Sequence, residues 1–379
     1  MVLERVQLSL MIGPVVPIPA PKIAMEALTS VEVTTSEDGT GFQLDFALGN
    51  RSPLQTLFLI TGGVPILFMR VIIEVTVNGE STVLADGVIV DHQIGAGTDD
   101  THSRLVIIGQ DISVLMDKQD FSGIPFPAMP AEARVALLLA KYALFGVIPA
   151  IVPSVFVHVP LPTGNIPSQR GTDLAYIRYL ADQVGYVFYI DPGPKPGTNV
   201  AYWGPRIKVG VPQPALNVDM DAHTNVQTLS FRFDSKKNKI PTVYLYNELT
   251  KVVIPVPIPP ITPLNPPLGS IPPLPTSVAD LAPVADNLSK LAPVQAILIG
   301  MARAADYAEA VTGTGTLDVM RYGRVLQARK LVGVRGVGPA FDGLHYVTRV
   351  THKISPGSYT QSFSLSRNGL VSTVPEVRA

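Results

Sequence analysis

The 379-residue chain contains no cysteine. Disulfide frameworks, thiolate metal sites and cysteine nucleophiles are therefore excluded, and a reducing compartment would suit assembly. Charge is scarce as well. Asp, Glu, Lys and Arg make up 16% of residues, against roughly 25% in an average soluble domain. They cancel to a formal net charge of −1, so no global attraction to nucleic acid or anionic lipid is expected. With 46% hydrophobic residues, a lone monomer would have difficulty covering itself with polar surface, and much apolar area is expected to face other subunits. Walker-type phosphate loops, H-E-x-x-H and G-x-S-x-G are also missing from the sequence, so no common catalytic motif marks a site.

Three apolar stretches imitate membrane or export signals. The N-terminal MVLERVQLSLMIGPVVPIPAPKIA carries Glu4 where a signal peptide is basic, and Pro14, Pro17 and Pro19 interrupt it. It reads as an arm, residues 1–26, that packs on a neighbour. LFLITGGVPILFM (57–69) is too short to span a bilayer, and 135–157 carries Lys141, Pro149 and Pro153. Both read as buried core.

The remaining pattern divides the chain. Residues 27–48 alternate apolar and polar on both sides of Glu37-Asp38-Gly39, and 72–94 do so around Asn78-Gly79, the strongest short hairpin signal. With RLVIIGQDISVLMD (104–117), they predict a first antiparallel unit over 27–118. From FPAMPAEARVALLLAKYALFG the period becomes helical. Pro130 suits the first turn and Gly146 the exit. TDLAYIRYLADQVGYVFYID (172–191) reads as a helix capped by Thr172 or Asp173. Its stripe is Leu174, Ile177, Leu180, Ala181 and Val184, and Gly185 ends it in a left-handed turn before a strand. Residues 119–215 thus predict an α/β insertion. The β pattern resumes over 216–379, interrupted at about 251–315 by a Pro-rich run (251–277) and a helix (293–311). The run excludes helix and inner strand, and its interspersed Ile, Val and Leu favour an extended segment lying on a surface. V-x-H-x-I occurs at Val90–Ile94 and again at Val350–Ile354, each after an Asp-Gly pair. Such an echo fits two related barrels.

Candidate chemistry is thin. GVRGVG (333–338) lacks a following helix and reads as a turn or bulge. Asp219, Asp221 and His223 alternate and could ligate a hard metal from a strand, but a solvated edge or loop explains them better. His102 beside Asp99 and Asp100 reads as a loop tip. Lys236-Lys237-Asn238-Lys239 and the run Arg321 to Lys330 read as solvated faces without interleaved aromatics. No catalytic, cofactor-binding or metal residue is assigned.

The sequence nevertheless resembles a family. DLAYIRYLADQVGYVFYI, LVGVRGVG, VLADGVIVDHQI with LVIIGQDISVLMD, and above all DGLHYVTRVTHKISPGSYTQSFSLSRNGL are similar to the late-control D proteins of contractile phage tails. Those proteins form the baseplate hub family shared with the N-terminal part of type VI secretion spike proteins. The similarity touches segments over roughly 27–118, 172–191 and 316–370. Tyr346, Val350, His352, Gly357, Ser358, Tyr359 and Phe363 fall in the family's order, and the structural signature the resemblance implies is Gly185, Gly343, Tyr346, His352, Gly357, Tyr359 and Phe363. The resemblance implies a β-rich α+β fold of two tail-tube-like antiparallel β-barrels joined by α/β insertions. It implies a non-enzymatic homotrimeric ring, assembled in the bacterial cytoplasm and built into a tail or injection-system baseplate. The ring would meet a hexameric tail tube protein on one face, a separate spike trimer on the other, and wedge or adaptor proteins around it. No cofactor and no stable nucleic-acid or membrane binding are implied. The Pro-rich run departs from the family pattern. The chain ends just after the last expected barrel strand, which leaves the spike's own β-barrel and β-helix to another polypeptide. On this reading 172–191 is a packing wedge. Two other classes stay open on the residues alone: a tail-associated wall hydrolase with unrecognised carboxylates, and an envelope-associated binding protein.

Overall fold

The structure, a computed structural model, describes residues 2–3, 6–48, 69–95, 103–154, 166–234, 240–247, 250–258, 266–271, 281–283, 296–297, 299–301, 304, 309 and 311–372. The loop carrying His102, most of 57–69, and Lys236–Lys239 lie outside the described residues, as does much of 251–315.

The first half comprises β1 (Val6–Gly13), α1 (Lys22–Ala27), β2 (Leu28–Ser36), β3 (Gly39–Leu48), β4 (Arg70–Val77), β5 (Glu80–Gly95) and β6 (Ser103–Asp111). Alternation sets which face goes inward: Val31 and Val33 on β2, and Phe42, Leu44 and Phe46 on β3, are all buried. The β4–β5 turn has Asn78 at φ 50° and Gly79 at φ 87°, the double left-handed geometry of a two-residue hairpin loop. The expectation of an N-terminal arm needs correction. Val6–Gly13 pair antiparallel with β4 over eight residues, and Val6, Leu8 and Leu10 are buried. The V-x-L-x-L alternation is a strand signal that the later prolines obscure.

The insertion holds α2 (Ser113–Met116), α3 (Ala131–Ala140), β7 (Val147–Ile151), α4 (Asp173–Asp182), β8 (Val187–Pro192) and β9 (Asn199–Gly204). β9 is central, antiparallel to β8 and parallel to β7. The expected stripe of α4 is buried in full, around the fully buried Trp203. Thr172 is the N-cap, its hydroxyl accepting from the Ala175 N–H. Asp173 lies wholly buried beside it. Its carboxylate takes Lys141 Nζ at 3.0 Å, Tyr142 Oη at 2.9 Å and Gln169 Nε2 at 2.7 Å.

The second half comprises β10 (Gln213–Asn217), β11 (Val226–Phe233), β12 (Ile240–Asn247), β13 (Val252–Pro257), β14 (Val311–Asp318), α5 (Val319–Tyr322), β15 (Leu331–Arg335), β16 (Gly343–Ser355) and β17 (Ser358–Arg367). Within the Pro-rich run, β13 is the edge partner of β12, and edges are where proline is tolerated. Gly269–Ile271 pairs with Leu370–Ser372.

The two halves share one strand order. The first runs β1-β4-β5-β6-β3-β2 and the second β10-β15-β16-β17-β14-β11, which is the same path in chain order. Bulges coincide too. β5 bulges against β6 between Ile89 and Asp91, and β16 against β17 between Val347 and Arg349. β2 bulges against β3 between Leu28 and Ser30, and β11 against β14 between Val226 and Thr228. Bulges fix register, so the ladders can be laid over each other residue by residue. Ile94 then matches His352, and His92 matches Val350. The V-x-H-x-I echo sits on equivalent strands, two residues out of register. Differences remain: β1 is antiparallel to β4, whereas β10 is parallel to β15, and β4 bulges against β5 between Ile73 and Glu74 where β15–β16 shows no bulge.

Both halves belong to one sheet, because β2 pairs antiparallel with β16. A single core crosses that junction, joining Val31 and Val33 to Val350, Ile354 and Phe363. This is the β-rich α+β architecture of large antiparallel sheets with an α/β insertion.

Gly185 has φ 69° and follows α4, with the Tyr186 N–H bonded to Ala181 O at 2.8 Å. A β-branched residue is strained in that conformation. Gly185→Val should lower stability by more than about 1 kcal/mol, read from denaturant or thermal melting.

Candidate functional site: the joint between the halves

The joint is built from β2 and β16 in the register Ser36 with Arg349 through Val31 with Ile354. Thr34 and Thr351 hydroxyls meet across it at 2.9 Å, and Val33 lies opposite His352. His352 is buried. Its Nδ1 receives the Tyr359 hydroxyl at 2.8 Å and lies 3.2 Å from Gln361 Nε2. Both partners can donate, which leaves the ring proton on Nε2. Gln361, itself fully buried, also clamps Leu326 through both backbone groups, at 2.8 and 3.0 Å. Burial holds the imidazole neutral and pushes its pKa down to about 3. This network fixes the strand against which β2 docks, and it ties the 323–330 loop to the same place.

Arg329 completes the joint. Its backbone N–H donates to Val347 O at 2.7 Å. Its guanidinium pairs with Asp191 of the insertion, donates to Ser36 O at the end of β2, and lies 4.1 Å over the Tyr189 ring. One side chain thereby fastens the first half, the second half and the insertion. A cleft of about 430 Å³ opens there, lined by Thr35, Leu84, Asp191, Gln327, Arg329 and His352. Its Asp191 and Arg329 pair with each other.

A second tie is Arg70 with Asp86. The guanidinium forks onto the carboxylate at 2.7 and 2.8 Å, both side chains buried. It also donates to Phe145 O of the insertion at 2.8 Å and to Val15 O at 3.2 Å. Burial pushes the Asp86 carboxyl up, opposed by Arg70. The equivalent positions in the second half are Leu331 and Leu344, which pack with Leu268 and Tyr346. The same structural slot is thus ionic where it must hold an inserted domain and apolar where it need not. Arg367 closes the far end of β17 by donating to the carbonyls of Gly369, Asp342 and Phe341 at 2.6, 2.8 and 3.3 Å.

Of the signature residues, Tyr359 and Phe363 enter the shared core on β17, and the buried His352 of β16 bonds to Tyr359. Tyr346 lies in the smaller apolar cluster, 5.2 Å beneath the Lys208 ammonium. Gly343 (φ 116°) opens β16, and Gly357 (φ 83°) makes the turn into β17; Gly185 lies apart, in the insertion. Asp219 and Asp221 have positive φ, and 221–223 form a short 3-10 turn rather than a strand. Among the described residues no three His, Asp or Glu side chains are grouped to hold a metal. Sequence reasoning passes over the roles of Arg70, Asp86 and Gln361, and its reading of Arg321 to Lys330 as a solvated face needs correction at Arg329, whose side chain is buried against Asp191. The first two had a usable signal, being charges set within the apolar runs MRVII and VLADGVI.

No family profile and no curated protein sequence matches the chain. Solved structures do. A tail protein from Neisseria meningitidis MC58 is similar over 95% of this chain and 97% of its own, with TM-score 0.60 and 14% identity. The 43 kDa tail protein of prophage MuSo2 from Shewanella oneidensis is similar over 95% and 98%, with TM-score 0.58 and 13% identity. The E. coli c3393 protein, a type VI secretion system component described as structurally similar to the T4 tail proteins gp27 and gp5, matches over 93% and 77%, with TM-score 0.51 and 10% identity. The fold is therefore one that phage tail proteins share with a type VI secretion component, in line with the resemblance of the C-terminal residues to baseplate hubs.

Two outcomes follow for stability. His352 sits near 3 when folded and near its ordinary 6.5 when unfolded. Both states are neutral above pH 6.5. Below it the unfolded chain binds the proton first, so stability should fall by about 1.4 kcal/mol per pH unit on this account. His352→Gln should remove about one proton from the slope of unfolding free energy between pH 6.5 and 5. Separately, Arg70→Leu removes the charge partner of the buried Asp86, which should cost about 3–5 kcal/mol. Arg70→Leu with Asp86→Leu, copying the second half, should recover part of that loss in chemical denaturation.

Proposed function

We propose that the protein is the central hub of a contractile tail or injection-system baseplate, a trimeric ring that adapts a sixfold tail tube to a separate trimeric spike. The observation that carries this reading is the repeated six-strand order within one chain. Three such chains supply six like ladders, so a threefold ring can present a nearly sixfold face to a tube. Likeness to tail proteins and to a type VI secretion component supports the same setting, and the low charge content suits extensive subunit contact.

In this proposal the two six-strand ladders, which open with Val6–Gly13 and Gln213–Asn217, are the ring-forming units, and the α/β insertion between them is a wedge. The role is structural, with the wedge acting through shape. Assembly takes place in the bacterial cytoplasm before the hub enters the particle, with wedge or adaptor proteins at its periphery. Light scattering on the purified chain, alone and with its tube and spike proteins, tests the reading. A mass near three times 40.5 kDa is expected, with the spike adding to it. A chain that stays monomeric and ignores both partners would overturn it. Clearing of peptidoglycan by the pure protein would overturn the structural role.

A further inference from the structure

Four consecutive residues, Ser81 to Leu84 of β5, line the cleft at the joint. Side chains of a strand alternate between faces, so a run of four along one wall means that the strand meets the cleft edge-on. That edge is open. β6 pairs with β5 only from Gly87 onward, whereas β4 lies along 80–88 on the other side. Val77 and Glu80 close the two-residue turn as a bonded pair. Bonding alternates from there, so Thr82 bonds to Val75 while Ser81 and Val83 aim N–H and C=O away from β4. Among the described residues no other backbone group bonds to either of them. The facing wall, 325–330, is different. Leu326 bonds through both backbone groups to Gln361, Gln327 through both to Gln213, and Arg329 and Lys330 hold Val347 between them.

The second half shows how such an edge can be closed. Through the bulges shared by the β5–β6 and β16–β17 ladders, 112–116 match 368–372, and 80–84 match the stretch leading into Gly343. The later segment turns back along that edge. The Val371 N–H donates to Ala340 O at 3.2 Å, and a Cβ on Gly343 would stand 2.5 Å from Ser372 Oγ. In the first half the same stretch forms α2 and packs toward α4. The chain therefore closes one copy of this edge with its own extended segment and leaves the other facing the cleft. The volume there, about 430 Å³, is ordinary for a ligand site.

We propose that this cleft receives an extended, acidic segment of a partner protein, added as a short strand to Ser81 and Val83. A few residues suffice, since the outward groups of a strand recur at every second position. The charge follows from the lining. Asp191 is paired with Arg329. Lys330, on the same wall, is exposed and forms no salt bridge among the described residues. Arg324 and Glu80 at the adjoining mouth stand 3.8 Å apart and balance each other. Lys330 is therefore the cation that a carboxylate on the incoming segment would complete. Every group involved belongs to one chain, so the inference goes beyond the ring reading and is tested apart from it.

Fluorescence anisotropy on the full chain tests this, with labelled Thr-Val-Glu-Val-Thr as the probe. The probe should bind saturably, and the same peptide with lysine for glutamate about tenfold more weakly, because a charge-assisted bond is lost. N-methylation at both valines blocks one edge of the peptide, and N-methylation at the glutamate blocks the other. One of these forms should lose binding and the other keep it. Lys330→Glu, at an exposed position, should reverse the preference between the glutamate and lysine peptides. Ser81→Pro removes an outward N–H that β4 does not use and should weaken both. No saturable binding of the glutamate peptide up to about 1 mM, or equal binding of the two N-methyl forms, would overturn strand addition. An unchanged preference in Lys330→Glu would overturn the site. Displacement of the probe by an equal concentration of acetate would reduce the cleft to a bare anion site and overturn the peptide.

Discussion

The antiparallel pairing of β2 with β16 is the constraint on which the architecture depends. An edge strand left open invites unwanted pairing, and β2 is the last strand of the first half. Residues more than 300 positions apart meet there, Val31 with Ile354 and Ser36 with Arg349. Once that pairing forms, two copies of one six-strand ladder become a single sheet with a continuous core. His352, Tyr359 and Gln361 bond to one another on the receiving strand and its neighbour, which holds the face that β2 pairs with.

Long-range pairing alone would leave the insertion loose. Two buried arginines prevent this from opposite sides. Arg329 joins Asp191, Ser36 O and the Tyr189 ring, and Arg70 joins Asp86, Phe145 O and Val15 O. Arginine suits both positions because its planar donors satisfy several acceptors in fixed directions. A lysine could satisfy only part of either set. The contrast with Leu331 and Leu344 shows that the ladder itself has no need of charge at this slot. The charge serves attachment.

Local features were the most readable in the sequence. Asn78-Gly79 marked its hairpin, and the helix 173–182 was predicted with its stripe and its glycine exit, because these depend on neighbours a few residues away. The C-terminal segment disclosed the fold through resemblance, and its His352 and Tyr359 proved to be bonded to each other. What stayed hidden depends on tertiary register. The strand Val6–Gly13 was read as an arm because Pro14, Pro17 and Pro19 outweighed a short alternation. The echo of V-x-H-x-I pointed to equivalent strands but misaligned them by two, since only a bulge seen in the ladder fixes the count. The basic run Arg321 to Lys330 points to solvent, whereas Arg329 is buried by partners that come from 36, 189 and 191. A polar group's role at a joint is set by what arrives from elsewhere in the chain.

The central claim is that one polypeptide carries the same ladder twice so that three copies match a six-membered tube. An electron-microscopy reconstruction of the native particle addresses it most directly. The account predicts three copies around the central axis, with six near-equivalent ladders facing the tube at about 60° intervals. A subunit found off that axis, or present in any number other than three per baseplate, would contradict it.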